Sequence, residues 1–531
     1  MEFEWFVRKV TKINLAYSVL GGFVVCFGIV IPKEQGSWAI HNVRTFLTLV
    51  MQIFMSEAPF ALVFGLLIGP YGLGVFDPRG WTTSKDSALS ANYLTFELTR
   101  LALGFGLFAI GVELPKTYLR DHARSLTALV VPVMVWGWFI SAALICWIFP
   151  ALSFTSALVI SSCLTPTDPV LANAIVSGRW AEQNVPKNLR LLLAAESAAN
   201  DGLAYPFLYI SLKILTNGTQ PLKIVKFIWD SVVYQVLLGV VLGTFLGWLF
   251  RLLLRQAESK NLIDRSSYIG QYLSLTLLSL GATALVGGDD LLAAFAAGSA
   301  VSWDGHFNEK SHESEFSSII EVFFNCVCFV YIGAWLPFDA LAREVDPHLG
   351  ITPDKMILLF VAILIVRRIP PLVALWWAGW LVPDITTLGE ALFSGHFGPM
   401  GVGAIFISML ALTELSPSQG QIDNQVDRVS ASIQPIVSFV VLGSIFIHGI
   451  SIPFFSLSTW LHATYIKAKH NAIHAKRSIG SVSPFRRSRV LPEEQQALLS
   501  DEPNPGRYSV GTRELFDTSS EIHAIEGEEQ A

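Results

Sequence analysis

Apolar runs of about 20 residues recur from residue 12 to residue 463, separated by short polar breaks. That length spans the hydrocarbon core of a bilayer. Lipid offers the backbone no hydrogen-bond partner, so such segments must be helical. The pattern predicts about 13 spans, roughly 12–31, 57–75, 96–115, 124–148, 152–176, 188–214, 226–254, 267–286, 288–303, 316–336, 354–382, 388–413 and 432–462. The piece VRTFLTLVMQIFM, 43–55, fits either an interfacial helix or a further span. The alternation of a membrane β-barrel is absent. The expectation is an all-α polytopic membrane domain over residues 1–463, followed by a polar segment, 464–531, expected to be a mostly disordered tail.

Composition agrees. The chain has 531 residues, of which 52% are hydrophobic and 15% charged, with a mean hydropathy of +0.51. A soluble chain is about a quarter charged. The apolar run near the N-terminus has no small-residue cleavage site after it and reads as the first span rather than a cleaved leader. Cys26, Cys146, Cys163, Cys326 and Cys328 all lie in apolar runs without metal or redox spacing, and read as packed thiols. No soluble catalytic domain or nucleotide-binding loop is visible, so the expectation is a non-enzyme driven by an ion gradient, without cofactor or nucleic acid.

Loop charge gives a direction. Lys116, Arg120 and Arg124 share one loop; Arg179 and Lys187 share another, with Arg190 beyond; Arg251, Arg255, Lys260 and Arg265 share a third. With 13 spans these loops fall on one side with the basic stretch YIKAKHNAIHAKRS, which predicts a cytoplasmic C-terminus and an outer N-terminus. Arg8, Lys9 and Lys12 oppose that orientation. The FRRSR stretch, 485–489, is either a lipid-facing basic patch or a stop-transfer flank. Asn217-Gly218-Thr219 is a glycosylation sequon on the expected outer side.

Charged groups inside these runs change the picture, because each ionised group at mid-membrane costs about 2.5–3.5 kcal/mol on insertion scales. In SSCLTPTDPVLANA, 161–174, Pro166 and Pro169 flank Thr167 and Asp168. Proline frees carbonyls one turn earlier, and a helix broken there offers hard oxygen ligands to a small cation; Asp168 as a helix cap is the plainer reading. In ESAAND, 196–201, Ser197, Asn200 and Asp201 are spaced i, i+3, i+4 and share one face. A carboxylate so flanked holds a proton or a cation, not both well, which is a minimal device for exchange. A polar seam between helices is the alternative.

Arg367 and Arg368 sit mid-span and need a carboxylate, for which Glu196 is the natural partner; the pattern does not separate the two arginines. In SGHFGPMGVGAIF, 394–406, Gly395, Gly398, Gly401 and Pro399 mark a second interrupted helix. It lies seven spans after the first, an odd offset that fits an inverted repeat with crossed discontinuous helices. His396 is either a titrating group or a structural one. Asp289 and Asp290 open a helix and read first as caps, second as cation attractors at a pore mouth. Glu113 is a further accessory candidate.

These motifs resemble the monovalent cation/proton antiporters: TPTDP in the fifth span, ESAAND in the sixth, GLLIGPYGLG in the second and the paired arginine in the eleventh. FAIGVELP, GGDD and RRIP are similar to the fungal plasma-membrane Na+/H+ antiporter branch. The resemblance implies a 13-helix inverted-repeat antiporter fold, a homodimer with dimerisation and core subdomains, and elevator-like alternating access. It implies exchange of cytosolic Na+ or Li+, with K+ a further candidate, for external protons, serving salt tolerance and cation and pH homeostasis. Asp201 would be the shared site, Thr167 and Ser197 co-ligands, Asp168 and Asn200 ties between the crossed helices, and Glu196 the partner of Arg367 or Arg368. An acid that bacterial relatives often carry in the third span is absent from LFAIG here. A cation channel and a proton-coupled cotransporter of a small organic solute are the rival readings.

Overall fold

The computed structural model describes residues 57–81, 91–169, 171–172, 179–217, 233–262, 265–307, 316–339, 349–415 and 424–480. Among the described residues all regular structure is helical. We label the principal helices α1 (Glu57–Ile68), α2 (Ala91–Glu113), α3 (Ala123–Ile148), α4 (Phe154–Cys163), α5 (Lys187–Asn217), α6 (Tyr234–Ser259), α7 (Arg265–Leu285) and α8 (Asp290–Val301). They continue as α9 (Phe316–Trp335), α10 (Pro353–Val366), α11 (Ile369–Ala378), α12 (Leu388–His396), α13 (Val402–Glu414) and α14 (Gln425–Gly480). The expected span at 12–31, the ambiguous piece at 43–55, Gly218 and Thr219 of the sequon, and the FRRSR stretch lie outside the described residues.

Among the described residues five helical stretches are long and apolar enough to cross a membrane: Ala91–Glu113, Ala123–Ile148, Tyr234–Ser259, Pro353–Ala378 and Gln425–Ser451. Shorter apolar helices accompany them. The expected count of 13 spans is not fixed by this set. α14 runs on to Gly480, past residue 464, where the polar segment was expected to begin. The functional residues all fall in the first of the two units into which the chain divides, Met1–Leu461 and His462–Ala531.

Small residues let the helices approach closely. α6 carries Gly239, Gly243 and Gly247 at four-residue spacing, and a Cβ on each would meet the backbone at Asp289, Ala293 and Ala297 of the α8 segment. This is the small-xxx-small packing that replaces hydrophobic driving force between helices in lipid. The other faces of α6 expose Leu237, Val241, Trp248 and Leu252, as a lipid-facing surface would. α8 is itself locked to α2, where Gly298 lies against the Phe108 carbonyl.

Two helices are broken, and the breaks cross. α4 stops at Cys163 and the chain runs without helical bonding through Thr167. α12 stops at His396, α13 starts at Val402, and the five residues between are non-helical. Proline and glycine at both places remove donors and side chains that a continuous helix would need. α5 runs past the crossing unbroken for 31 residues. Trp138 of α3 donates its indole N–H to the Leu158 carbonyl (3.0 Å), and Ser161 donates back to the Trp138 carbonyl (2.5 Å), so α3 braces α4 from behind.

Candidate functional site

Asp168 holds the crossing together. Its backbone N–H donates to the Pro399 carbonyl of the second break at 2.7 Å. Its Oδ2 accepts the Val402 N–H at 2.6 Å, capping α13. Its Oδ1 accepts the Leu171 N–H at 3.2 Å, capping its own chain beyond the break. One carboxylate thus answers two orphan helix starts, each with a positive dipole end. Gly401 makes this possible: a Cβ there would collide with Oδ2 of Asp168.

Thr167 is held from α5 on three atoms. Its N–H donates to Asn200 Oδ1 (3.0 Å), its hydroxyl accepts from Asn200 Nδ2 (2.7 Å), and its carbonyl accepts from the Ser197 hydroxyl (2.5 Å). The i, i+3 spacing of Ser197 and Asn200 is what lets one helical face grip one residue. Both side chains are buried.

Asp201 differs from its neighbours. It is 1% exposed, and neither carboxylate oxygen has a hydrogen-bond partner among the described residues. It faces the crossing, for a Cβ on Gly403 at the start of α13 would lie 2.5 Å from its Oδ1. An isolated ionised carboxylate taken out of water is very costly unless it is neutralised. A proton or a cation is therefore what this group needs to be stable where it stands.

The two arginines have separate tasks. Arg368 donates Nη1 to Glu196 Oε1 (2.6 Å) and Nη2 to Oε2 (3.0 Å), a bidentate pair. It also donates to the Ser394 carbonyl of α12 at 3.3 Å. Arg367, the other partner that the sequence left open for Glu196, makes no hydrogen bond to it. It instead donates to the Leu164 carbonyl in the first break and, at 2.7 Å, to the Gly398 carbonyl in the second. The reason is local: α10 ends and α11 begins at this pair, ahead of Pro370, so consecutive side chains leave on different sides. Glu196, Arg367 and Arg368 are all buried.

The accessory candidates lie apart from this network. Asp289 caps α8, accepting the Leu292 N–H at 2.9 Å. Asp290 takes Arg100 Nε on Oδ2 (2.5 Å) and the Tyr205 hydroxyl on Oδ1 (2.9 Å). Glu113 is exposed at the end of α2. His396 is half-buried, with Nε2 2.8 Å from the Ser451 hydroxyl and its carbonyl 2.9 Å from His448 Nε2. Sequence reasoning missed Arg100, Tyr205 and His448. Arg100 had a usable signal, since it is a cation within the apolar run of α2. Tyr205, one turn after Asp201, packs edge-on against Phe406, which stacks on Phe96 at 5.0 Å. Cys146, Cys163, Cys326 and Cys328 form no disulfide among the described residues.

Against known proteins, the family described as "Sodium/hydrogen exchanger, transmembrane" matches residues 43–457. The chain is 37% identical over 480 residues to the Na(+)/H(+) antiporter 2 of Zygosaccharomyces rouxii, covering 87% of this chain and 55% of that one. It is 37% identical to the Na(+)/H(+) antiporter of Saccharomyces cerevisiae, covering 86% and 45%. It is 32% identical to a Na(+)/H(+) antiporter of Schizosaccharomyces pombe, covering 88% and 95%. The chain thus spans about half the length of the first two relatives and nearly all of the third. In fold it is similar to the sodium proton antiporter MjNhaP1 from Methanocaldococcus jannaschii, with a TM-score of 0.58 at 16% identity, covering 83% of this chain and all of that one.

Proposed function

The chain belongs to the sodium/hydrogen exchanger family, and from that premise we propose that it is a secondary antiporter exchanging cytosolic Na+ or Li+, with K+ a further candidate, for external protons at Asp201. The observation that carries this reading is the contrast within one cluster. Ser197, Asn200, Thr167 and Asp168 satisfy each other or the helix ends, while both oxygens of Asp201 are buried without a partner among the described residues. The charge there is left for a transported ion.

The cycle needs only this group and alternating access. Facing the cytosol, Asp201 gives up its proton and takes a cation. The core carries it across, the cation leaves outside, and a proton returns to the carboxylate. Proton and cation compete for one carboxylate, and the bare carboxylate is too costly to carry through the dry interior, so the site returns only when loaded, which couples the two net fluxes. Asp168 has each oxygen engaged by a backbone N–H, so it acts as a fixed anion and not as a second carrier. One carrier gives one-for-one, electroneutral exchange. Ser197 and Thr167 serve as positioning residues in the form described, and become co-ligands if the Thr167 carbonyl turns to the ion.

On this reading the protein sits in the plasma membrane as a homodimer, with the basic loops and the C-terminus in the cytosol, and contributes to salt tolerance and to cation and pH homeostasis. Proteoliposomes under an imposed proton gradient test it: Na+, Li+ and K+ are offered in turn, with and without a clamped voltage. Saturable cation flux that needs the proton gradient and ignores voltage supports the proposal. Cation flux without proton movement overturns it.

A further inference from the structure

A groove lies between α3 and α11, with Val131 and Trp136 exposed at it. It consists of two adjoining cavities, of about 520 and 540 Å³, that share Pro132 and Leu381. One part is lined by Pro132, Trp136, Pro370, Pro371 and Ala374. The other part is bordered by Arg124 and Thr127 near the start of α3. The walls are preformed. Pro132 sits in a π-turn, Leu129–Val133, within α3. Pro370 opens α11 and cannot bond the carbonyl one turn earlier, that of Val366. Trp136 answers that carbonyl from across the groove, donating its indole N–H at 3.2 Å.

One end is basic. Arg124 is exposed, makes no hydrogen bond or ion pair among the described residues, and lies over the ring of Trp380 at 5.6 Å. Asp384, the acid on the Trp380 loop, is already taken by His122 (2.8 Å) and by the Ser125 hydroxyl. An arginine and exposed tryptophans (Trp377 and Trp380) at a helix end mark the headgroup level of a membrane. From Arg124 to Pro132 is eight helical residues, about 12 Å along the axis, which is the run of an acyl chain into the hydrocarbon. The other cations of the turn, Lys116 and Arg120, favour a headgroup of net negative charge.

We propose that this groove is a binding site for one anionic phospholipid, with its phosphodiester at Arg124 and an acyl chain lying between α3 and α11 against the three prolines. The site touches the transport machinery through one layer of side chains. Val133 lines the groove and, on its inner side, a small cavity shared with Glu196, Asn200, Arg367 and Arg368. A chain in the groove therefore packs behind the Glu196–Arg368 pair.

The test is thermal unfolding of the detergent-purified full chain titrated with phosphatidylserine, phosphatidylcholine or glycerophosphoserine, the last carrying the headgroup without chains. Phosphatidylserine is expected to raise the midpoint by several degrees in the wild type and in Lys260→Gln, an exposed charge removed elsewhere. Arg124→Gln and Ala374→Trp should each lose at least half of that rise, and glycerophosphoserine should give none. A full phosphatidylserine response in Arg124→Gln, or an equal response to phosphatidylcholine, overturns the proposal. Independently of stability, a photoactivatable phosphatidylserine should label the peptide containing Trp136 in the wild type. Labelling there that is undiminished in Arg124→Gln, or labelling confined to other helices, overturns it too.

Discussion

Arg368 meets Glu196 through two parallel hydrogen bonds, 2.6 and 3.0 Å, with both side chains buried. Removing one member of such a pair leaves an uncompensated charge and costs about 3–5 kcal/mol. Glu196→Gln is therefore expected to lower the thermal unfolding midpoint markedly and to impair exchange. The double variant Glu196→Gln/Arg368→Gln should recover part of the lost stability, because it leaves no stranded charge. Unfolding in detergent of the two variants beside the parent checks this, and equal midpoints for all three would remove the pair from its structural role.

Asp201→Asn removes a charge that no hydrogen bond satisfies among the described residues, so it should be tolerated or stabilising while exchange is lost. Circular dichroism and unfolding report the first half, and Na+-driven proton flux in vesicles the second. Flux retained in a folded Asp201→Asn protein would dismiss this residue as the carrier.

Competition for one carboxylate has a kinetic signature. As pH falls on the side where Na+ enters the site, the apparent KM for Na+ should rise while the maximal rate stays unchanged. Initial rates over a grid of Na+ and pH discriminate: a falling maximal rate at constant KM would mean separate sites for the two ions.

Gly401→Ala places a Cβ against Asp168 and should disturb the crossing. The expected result is loss of exchange with a clear drop in unfolding temperature. Gly106→Ala in α2 meets nothing within 4 Å and should be silent in the same assays. Similar behaviour of the two variants would mean that the close approach at Gly401 carries no weight.

Much of the site was readable from local chemistry. Proline at 166 and 169, and glycine with proline at 395–401, announced two broken helices, because these residues act within a turn or two of themselves. The i, i+3 spacing put Ser197 and Asn200 on one face for the same reason. What stayed hidden depends on how separate helices meet. The pairing of Glu196 with Arg368 rather than Arg367 follows from the rotation of the chain at the α10–α11 joint. Arg367 bridging two carbonyls could not be read, because an exposed carbonyl exists only once both helices are broken and crossed. Arg100 with Asp290 joins residues 190 positions apart, and Asp290 alone looked like an ordinary cap.

The two carbonyls that Arg367 binds, one from each interrupted helix, have a mechanical consequence. Together with the Arg368 grip on α5, they bolt three separate stretches of chain to a single two-residue joint. Sliding one stretch past another would strand a cation in the dry interior. Any rearrangement that turns the cargo from one aqueous face to the other must then carry this assembly as a single block, with the shear falling at its outer boundary.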